Sequence, residues 1–263
     1  MIVALAFAAF MPMISQAKDN NLTLAKNDYS DNIDTKKIRF GVYVAPAIDW
    51  MRPTTVKSNN NEFTSKNAGS KVGFTYGLMM DYNFADNYSF VTGLQVNMAG
   101  GKIQTERATG ATTTVSSVNS ADFDYNLTYL EVPVAIKLRT DPISNFRFFG
   151  QVGLTTGFNI AKKANYSVSY IDSLGDSKTV DAEKVKLKGI IATSPVLFAM
   201  SIGAGLEYPL NNKLAAYFGV FFNNGFAPDA TNPNNYKLET YQGSFKDGNT
   251  RLNNFSFRLG LFF

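Results

Sequence analysis

The sequence contains no cysteine and no histidine among its 263 residues. Disulfide bonds, zinc sites built from Cys or His, His-based catalytic triads and Cys nucleophiles are therefore excluded. Charged residues make up only 17% of the chain, and the net charge of +4 is not clustered, which argues against nucleic acid as a ligand. An exported domain of this composition has to be held together by its own packing or by a membrane.

Long apolar runs are also missing, with one exception at the N-terminus. The first seventeen residues, MIVALAFAAFMPMISQA, are uncharged and end in the small-residue triplet Ser15-Gln16-Ala17. This pattern predicts a secretory signal peptide over residues 1–17, too short for a membrane-spanning helix, with a retained membrane anchor as the alternative. No cysteine follows the cleavage site, so a lipid-anchored lipoprotein is excluded. The polar stretch 18–37 is expected to be a flexible periplasmic lead, or else a binding arm for a periplasmic partner.

The remainder of the chain is a fine alternation of apolar and polar residues. Hydrophobic residues make up 45% of the sequence, yet the mean hydropathy is −0.11, so the two kinds must be interleaved. Between Phe40 and Trp50 the even positions are apolar and the odd positions are mostly polar or small, which is the signature of a β-strand. The same period of two recurs and predicts eight strands, at residues 40–50, 72–84, 88–98, 129–139, 146–160, 196–208, 214–222 and 253–263.

The lengths of these strands and of their connections favour a membrane barrel. The strands are about 11 to 15 residues long, which suits a tilted crossing of a bilayer better than a soluble sheet. Short turns follow the second, fourth and sixth strands, whereas long polar loops follow the others. The pattern predicts an all-β fold over residues 38–263, an eight-stranded transmembrane antiparallel up-and-down β-barrel with short periplasmic turns and long external loops. The expected location is the outer membrane of a Gram-negative bacterium, and the alternative is a soluble β-sandwich or lipocalin-like barrel.

Aromatic residues bound the apolar faces at both ends, as in the girdles that mark the two membrane interfaces of a barrel. One predicted girdle comprises Phe40, Tyr82, Phe84, Tyr88, Phe90, Phe146, Phe148, Tyr208 and Phe263, and the other comprises Trp50, Phe74, Phe158 and Phe222. An aliphatic band between two such girdles matches the cross-section of a bilayer.

Two further features concern irregular positions. Pro46, Pro133 and Pro195 cannot donate to a strand ladder, so each is expected at a bulge or beyond the hydrocarbon zone. The lysine-rich segment Ala161–Gly189 is expected to be a solvated loop, with contact to an anionic surface glycolipid or a protein partner as the alternative.

The stretch YLEVPVAIK, from Tyr129 to Lys137, is an aromatic-Leu-Glu-aliphatic-Pro strand that ends in Lys. Together with the opening strand FGVYVAP, the repeated inward glycines and the aromatic terminal strand, it resembles the PorT-like outer-membrane β-barrel family of Bacteroidota, whose barrels are of the OmpA/OmpX type. The resemblance spans residues 38–263. That family takes its name from a component of the type IX protein secretion apparatus, so the resemblance implies a barrel and raises protein export as an expectation.

If the apolar faces meet lipid, the opposite faces turn charged residues into the lumen. These residues are Arg39, Asp49, Asp81, Glu131, Lys137, Arg139, Arg147, Glu207 and Arg258. The interior of an eight-stranded barrel is just wide enough for side chains, so the charges are expected to form a structural network of salt bridges and hydrogen bonds. Glu131 is expected to pair with Lys137 or with a neighbouring Arg. The alternatives are a narrow water path and acid-base catalysis by Asp81 and Glu131, which the absence of His disfavours.

The expected role is non-catalytic, that of a structural or accessory barrel that serves protein export by binding partners. The alternative is a narrow porin-like channel for small solutes. No cofactor or metal is expected, since Ala99–Lys102 lacks the spacing of a phosphate loop and Asp172–Asp176 lacks the ligand pattern of a calcium loop. The expected partners are outer-membrane lipid and glycolipid, a periplasmic or secretion-apparatus protein, and barrel-assembly machinery. Phe263 resembles the terminal aromatic signal that this machinery reads.

Overall fold

The computed structural model describes residues 33, 36–54, 63–108, 118–172, 174–186, 192–226, 230–231, 237–238, 241–242 and 250–263. The predicted signal peptide, 1–17, and most of the lead, 18–37, lie outside these residues. No helix in the described ranges is long and apolar enough to cross a membrane. The strands are β1 (Ile38–Pro53), β2 (Phe63–Ala85), β3 (Tyr88–Arg107), β4 (Val118–Arg139), β5 (Arg147–Ile171), β6 (Ser177–Lys186), β7 (Ala192–Thr193), β8 (Val196–Asn211), β9 (Leu214–Gly225), β10 (Ala230–Thr231), β11 (Lys237–Leu238), β12 (Tyr241–Gln242) and β13 (Thr250–Phe262).

Eight of these strands form a closed ring. They pair antiparallel in the order β1-β2-β3-β4-β5-β8-β9-β13, and β13 returns to pair with β1. On β1, Val42 lies opposite Leu78 of β2 on one side and Leu261 of β13 on the other. The prediction of an eight-stranded antiparallel up-and-down barrel is therefore confirmed. The turns at 86–87 and 212–213 define one end of the barrel, the turn end, and the longer connections define the loop end.

The outer face of the ring carries a continuous apolar band. Every strand of the ring contributes exposed hydrophobic side chains to it, for example Val44, Leu78, Leu94, Val134, Leu154, Phe198, Val220 and Leu259. A soluble protein rarely exposes so large a patch, whereas lipid satisfies it. At the loop end of this lipid band, Trp50 packs against Phe222 and Phe255, with ring centroids 6.2 and 5.6 Å apart.

Four strands extend further toward the loop end than the alternation predicted. β2, β3, β4 and β5 contain 23, 20, 22 and 25 residues. The prediction of a solvated loop over Ala161–Gly189 is wrong for most of its described part, because β5 continues to Ile171 and the chain returns as β6, paired with β5. We call the part of β2–β6 that lies beyond the lipid band the extension.

The extension was not predicted because the apolar side chains lie on the inner face of its strands and the polar side chains on the outer face, the reverse of the arrangement in the lipid band. In the lipid band of β4, Val132 and Val134 face outward and Lys137 is buried inside the ring. Nearer the loop end the same strand buries Phe123 and Tyr125 and turns polar side chains outward. The surroundings change from lipid to water, so apolar side chains gain from facing inward instead. The buried apolar side chains at this end form the loop-end core, made of Met51, Phe63, Ala99, Ile103, Val118, Ala121, Phe123, Tyr125, Leu127, Tyr129, Ala164, Tyr166, Val168, Leu197 and Leu252.

The prolines are accommodated without bulges. Pro46 keeps the register of β1, lying opposite Phe74, and Pro133 keeps the register of β4, lying opposite Thr155. The prediction of a bulge or a position beyond the hydrocarbon zone is wrong for both, since their strand neighbours belong to the lipid band. The pairings of β1 with β13 and of β3 with β4 are each interrupted beside the proline and then resume in the same register. Pro195 lies before β8, and its carbonyl accepts a hydrogen bond from the Asn159 amide.

Candidate functional site

The candidate site is the lumen, and its turn end holds a buried cluster of five charged side chains, the ionic cluster. Arg39 Nη2 lies 2.7 Å from Asp81 Oδ2 and 2.9 Å from Glu207 Oε2. Lys137 Nζ also pairs with Asp81 and lies 2.7 Å from Glu207 Oε1, and Arg139 Nη1 lies 3.6 Å from Glu207 Oε2. Three cations thus share two carboxylates, and each of the five residues is at most 5% exposed. Charges removed from water to this degree require such mutual pairing.

Strand register brings part of this cluster together, and ring closure brings the rest. Arg39 lies directly opposite Asp81 across the β1–β2 ladder, and Arg147 lies opposite Glu207 across the β5–β8 ladder. Lys137, on β4, reaches Glu207 on β8, although β5 lies between these two strands. The contact therefore passes across the inner side of β5 and does not join two neighbouring strands.

Aromatic rings line the ionic cluster. The Arg39 guanidinium lies 4.3 Å from the centre of the Phe262 ring, and Lys137 Nζ lies 4.9 Å from the same centre. Lys137 Nζ also lies 5.5 Å from the Phe149 ring and 5.7 Å from the Tyr217 ring. Cations attract the faces of aromatic rings, so these rings stabilise the buried positive charge while filling the lumen.

Three described residues that precede β1, namely Ile33, Lys36 and Lys37, contact the turn end of the barrel. Ile33 is fully buried in one apolar cluster with Phe149 and Phe262, and its amide donates to the Asn212 carbonyl at 3.0 Å. Asn83 donates to the carbonyls of Lys36 and Lys37 and accepts a hydrogen bond from Arg139 at 2.9 Å. The lead is thus joined to the edge of the ionic cluster at its described positions.

The middle of the lumen is built around Glu131. Asn97 donates to its Oε1 at 2.8 Å, and Gln95 donates to its Oε2. Tyr43 donates in turn to Gln95, and Thr75 donates to Asn97 at 3.0 Å. The predicted pairing of Glu131 with Lys137 is wrong, because Lys137 is six residues further along β4 and its ammonium group is held by the ionic cluster.

The remaining predicted lumen residues take different positions. Arg258 stacks over the rings of Phe221, at 4.0 Å, and Tyr43, at 5.3 Å. Arg147 is half-buried on β5, at the end of the strand next to Glu207. Asp49 is fully buried on β1, opposite Asn254 of β13.

Phe263, the predicted assembly signal, is half-exposed, and its amide donates to the Phe40 carbonyl at 2.8 Å. This geometry places its ring among the outward aromatics of the turn end. A role in assembly stays a prediction.

Sequence reasoning missed the neutral side chains that complete the site. Gln95, Asn97, Tyr43 and Thr75 lie at inward positions of their strands, so the same period of two would have found them. These side chains carry no charge, but buried carboxylates are also satisfied by amide and hydroxyl donors.

The space left in the lumen is small. One cavity of about 20 Å³ lies beside Glu131 and Arg258, and another of about 10 Å³ lies between Asp81 and Tyr217. Volumes of this size hold about one water molecule each. Within the described ranges no three acidic side chains lie close enough to hold a metal ion. Asp81 and Glu131 are each engaged by different partners, so these two carboxylates are not paired with each other for acid-base chemistry.

The family comparison agrees with this architecture. Residues 16–219 match the family described as outer membrane protein beta-barrel domain. No curated protein sequence matches the chain. Among solved structures, Ail of Yersinia pestis is 12% identical, with 87% of this chain and 100% of that chain covered and a TM-score of 0.36. Neisserial surface protein A is 12% identical, with 84% and 95% covered and a TM-score of 0.38. OprG of Pseudomonas aeruginosa is 13% identical, with 85% and 93% covered and a TM-score of 0.35.

Proposed function

Because the chain belongs to the outer membrane protein β-barrel domain family, we propose that it is a closed, non-conducting barrel that acts through the molecules it binds. The protein is located in the outer membrane of a Gram-negative bacterium. Its role is structural or accessory, and it carries out no chemical reaction.

The observation that supports this proposal is the filled lumen. The ionic cluster and its aromatic lining occupy the turn end, and the loop-end core occupies the other. Between them the cavities admit about one water molecule each, whereas a hydrated ion needs a continuous wider path. A narrow porin-like channel, the alternative function, would require these side chains to move.

The specific role we propose is accessory to protein export. It rests on the resemblance of YLEVPVAIK, Tyr129 to Lys137, to PorT-like barrels. The extension offers a rigid, polar outer surface for an external partner, and the lead offers a segment for a periplasmic or secretion-apparatus partner. A non-catalytic role is supported by the absence of His and Cys and by the ion pairs of Asp81 and the hydrogen bonds of Glu131.

Planar-bilayer recording tests whether the lumen is closed. The purified barrel should give no steady single-channel current. The variant Phe221→Ala removes a fully buried ring from the lumen, and Phe218→Ala, which removes an exposed ring from the lipid face of the same strand, is its matched control. If one of these two substitutions opens a conducting path, it should be Phe221→Ala, and Phe218→Ala should not conduct. Steady currents from the unmodified protein would contradict the closed barrel and favour the channel.

Cross-linking in the native envelope, followed by mass spectrometry, tests the accessory role. The expected result is one recurring protein cross-linked through the extension or through residues 18–37. Recovery of lipid and glycolipid without any protein would contradict the export role, while leaving the closed lumen unaffected.

A further inference from the structure

Two lysines face each other on the outer surface of the extension. Lys163 of β5 lies directly opposite Lys186 of β6, and both side chains are exposed. On the other side of β5, Lys163 lies opposite the neutral Asn126 of β4. Like charges placed directly opposite in a ladder destabilise a sheet, so this arrangement calls for a counter-charge. We call Lys163 and Lys186 the lysine pair.

Three other lysines of the extension have carboxylate partners, whereas Lys102, Lys162 and Lys184 have no ion pair among the described residues. Lys66 lies 3.2 Å from Glu106, Lys178 lies 2.6 Å from Asp172, and Lys71 pairs with Asp124. No ion pair among the described residues involves either member of the lysine pair.

An acid-free stretch of the sequence surrounds Lys163, and a second one begins after Glu183, three residues before Lys186. The chain has no Asp or Glu between Asp141 and Asp172, and none between Glu183 and Glu207. These two acid-free stretches also contain Lys162, Lys184 and Lys188. The sequence that adjoins the lysine pair is therefore rich in positive charge.

The lysine pair lies next to the lipid band. On β5, Phe158 and Ile160 are 56% and 59% exposed on the lipid face, and Lys163 follows three residues after Ile160. At about 3.3 Å per strand residue, the backbone of Lys163 lies about 10 Å along the strand from Ile160, or about 8 Å along the membrane normal for a strand tilted by about 40°. That is the level of the headgroups, and the loop end of such barrels faces outward, so the headgroups belong to the outer leaflet.

We propose that the lysine pair binds a phosphate group of an anionic glycolipid in the outer leaflet. A phosphate presents several strong acceptor oxygens, and two ammonium groups from neighbouring strands can donate to it together. Its charge offsets the repulsion within the pair, while the acyl chains of the same molecule lie along the lipid band. This binding site is independent of whether the lumen conducts.

Native mass spectrometry of the full-length folded barrel in detergent tests the site. The probes are bisphosphorylated lipid A, dephosphorylated lipid A and inorganic phosphate. The double variant Lys163→Gln/Lys186→Gln should bind bisphosphorylated lipid A more weakly, by about fivefold for each charge removed. The control Lys66→Gln/Lys178→Gln removes the same charge from the extension and should bind as the unmodified protein does. The double variant Lys163→Arg/Lys186→Arg keeps both charges and should keep most of the affinity.

Three results would overturn the proposal. Equal binding by the Gln double variant and the unmodified protein would remove the lysine pair from the interaction. An equal loss in the Lys66/Lys178 control would show a general charge effect, and equal binding of dephosphorylated lipid A would show that acyl chains alone are recognised. Inorganic phosphate should bind far more weakly than lipid A, and equal affinity would assign the site to free phosphate. Heat-modifiable gel mobility verifies that each variant is folded.

Discussion

Lys137 Nζ lies 2.7 Å from Glu207 Oε1, and the two residues stand on strands that are not neighbours in the ring. Their ion pair, together with that of Arg39 and Glu207, links strands that are two and three places apart in the ring. The ladders of the barrel wall join only adjacent strands. The ionic cluster therefore fills the lumen at the turn end, and its ion pairs between non-adjacent strands stabilise the ring there.

Glu207→Gln should destabilise the barrel strongly. The change leaves Arg39, Lys137 and Arg139 with Asp81 as the remaining carboxylate of the cluster, and breaking a buried ion pair costs about 3–5 kcal/mol. Urea unfolding in phospholipid vesicles, followed by the fluorescence of Trp50, the single tryptophan of the chain, measures the free energy of unfolding.

The matched control for this variant is Lys66→Gln, which breaks the exposed pair with Glu106. Exposed pairs contribute about 0–1 kcal/mol, so this variant should be nearly as stable as the unmodified protein. If the two variants unfolded at the same urea concentration, the bracing role of the ionic cluster would be refuted.

Val134→Arg and Asp122→Arg should differ, although both positions are on β4 and both point outward. Val134 faces lipid, where an added arginine costs about 2–4 kcal/mol near the bilayer midplane. Asp122 is exposed in the extension, where a surface substitution changes stability by about 0.5 kcal/mol or less. Urea unfolding of the two variants measures the difference. If both variants lost a similar free energy of unfolding, lipid would cover the extension too. That result would contradict the outward polar face of the extension.

Gly205→Ala should be destabilising while Gly150→Ala is tolerated. A Cβ at Gly205 would lie 2.0 Å from the Phe218 carbonyl oxygen and 2.5 Å from Phe149 Cζ, so strand and aromatic lining would have to shift, at a cost of about 1–3 kcal/mol. A Cβ at Gly150 meets no atom within 4 Å, and alanine there should be neutral or stabilising by up to about 1 kcal/mol. Thermal midpoints from heat-modifiable gel mobility give the ranking, and the reverse order would show that the lumen is less filled than the structure indicates.

The turn of the β5–β6 hairpin should open in acid. Asp172 Oδ1 accepts hydrogen bonds from the amides of Leu174 and Asp176, each at 2.9 Å, and its carboxylate also pairs with Lys178. The hydrogen bond from Lys178 lowers the pKa of Asp172 below its ordinary value. A lowered pKa means that the stabilisation is complete above the ordinary pKa and is lost as pH falls through the folded-state value.

Hydrogen exchange at the amides of Leu174 and Asp176 measures this transition. In Lys178→Gln the pKa of Asp172 should return toward its ordinary value, so protection should be lost at a higher pH than in the unmodified protein. An unchanged midpoint in this variant would exclude Lys178 as the cause.

The sequence predicted the charged residues of the candidate site, but it did not predict which of them form ion pairs or which neutral side chains complete the site. Period-two alternation assigned Arg39, Asp81 and Glu207 to the inner face, where the structure also has them. The partner of Glu131 could not be read from the sequence, because Gln95 and Asn97 reach it from β3 and a neutral amide carries no charge signal. Which side chains meet across a ring depends on strand tilt and closure, and neither has a local sequence signature.

The alternation alone determined the fold class and the lipid band, since each outward side chain in a bilayer must be apolar whatever its neighbours are. The tertiary structure decided what happens beyond the bilayer and within the ring. Along β4, Phe123 and Tyr125 are buried and Val134 is exposed, and all three are apolar residues in the same alternating pattern. The sequence cannot tell an apolar face that meets lipid from one that meets a core, because both remove the same surface from water. Only the position of each strand segment relative to the closed ring and the membrane separates the two.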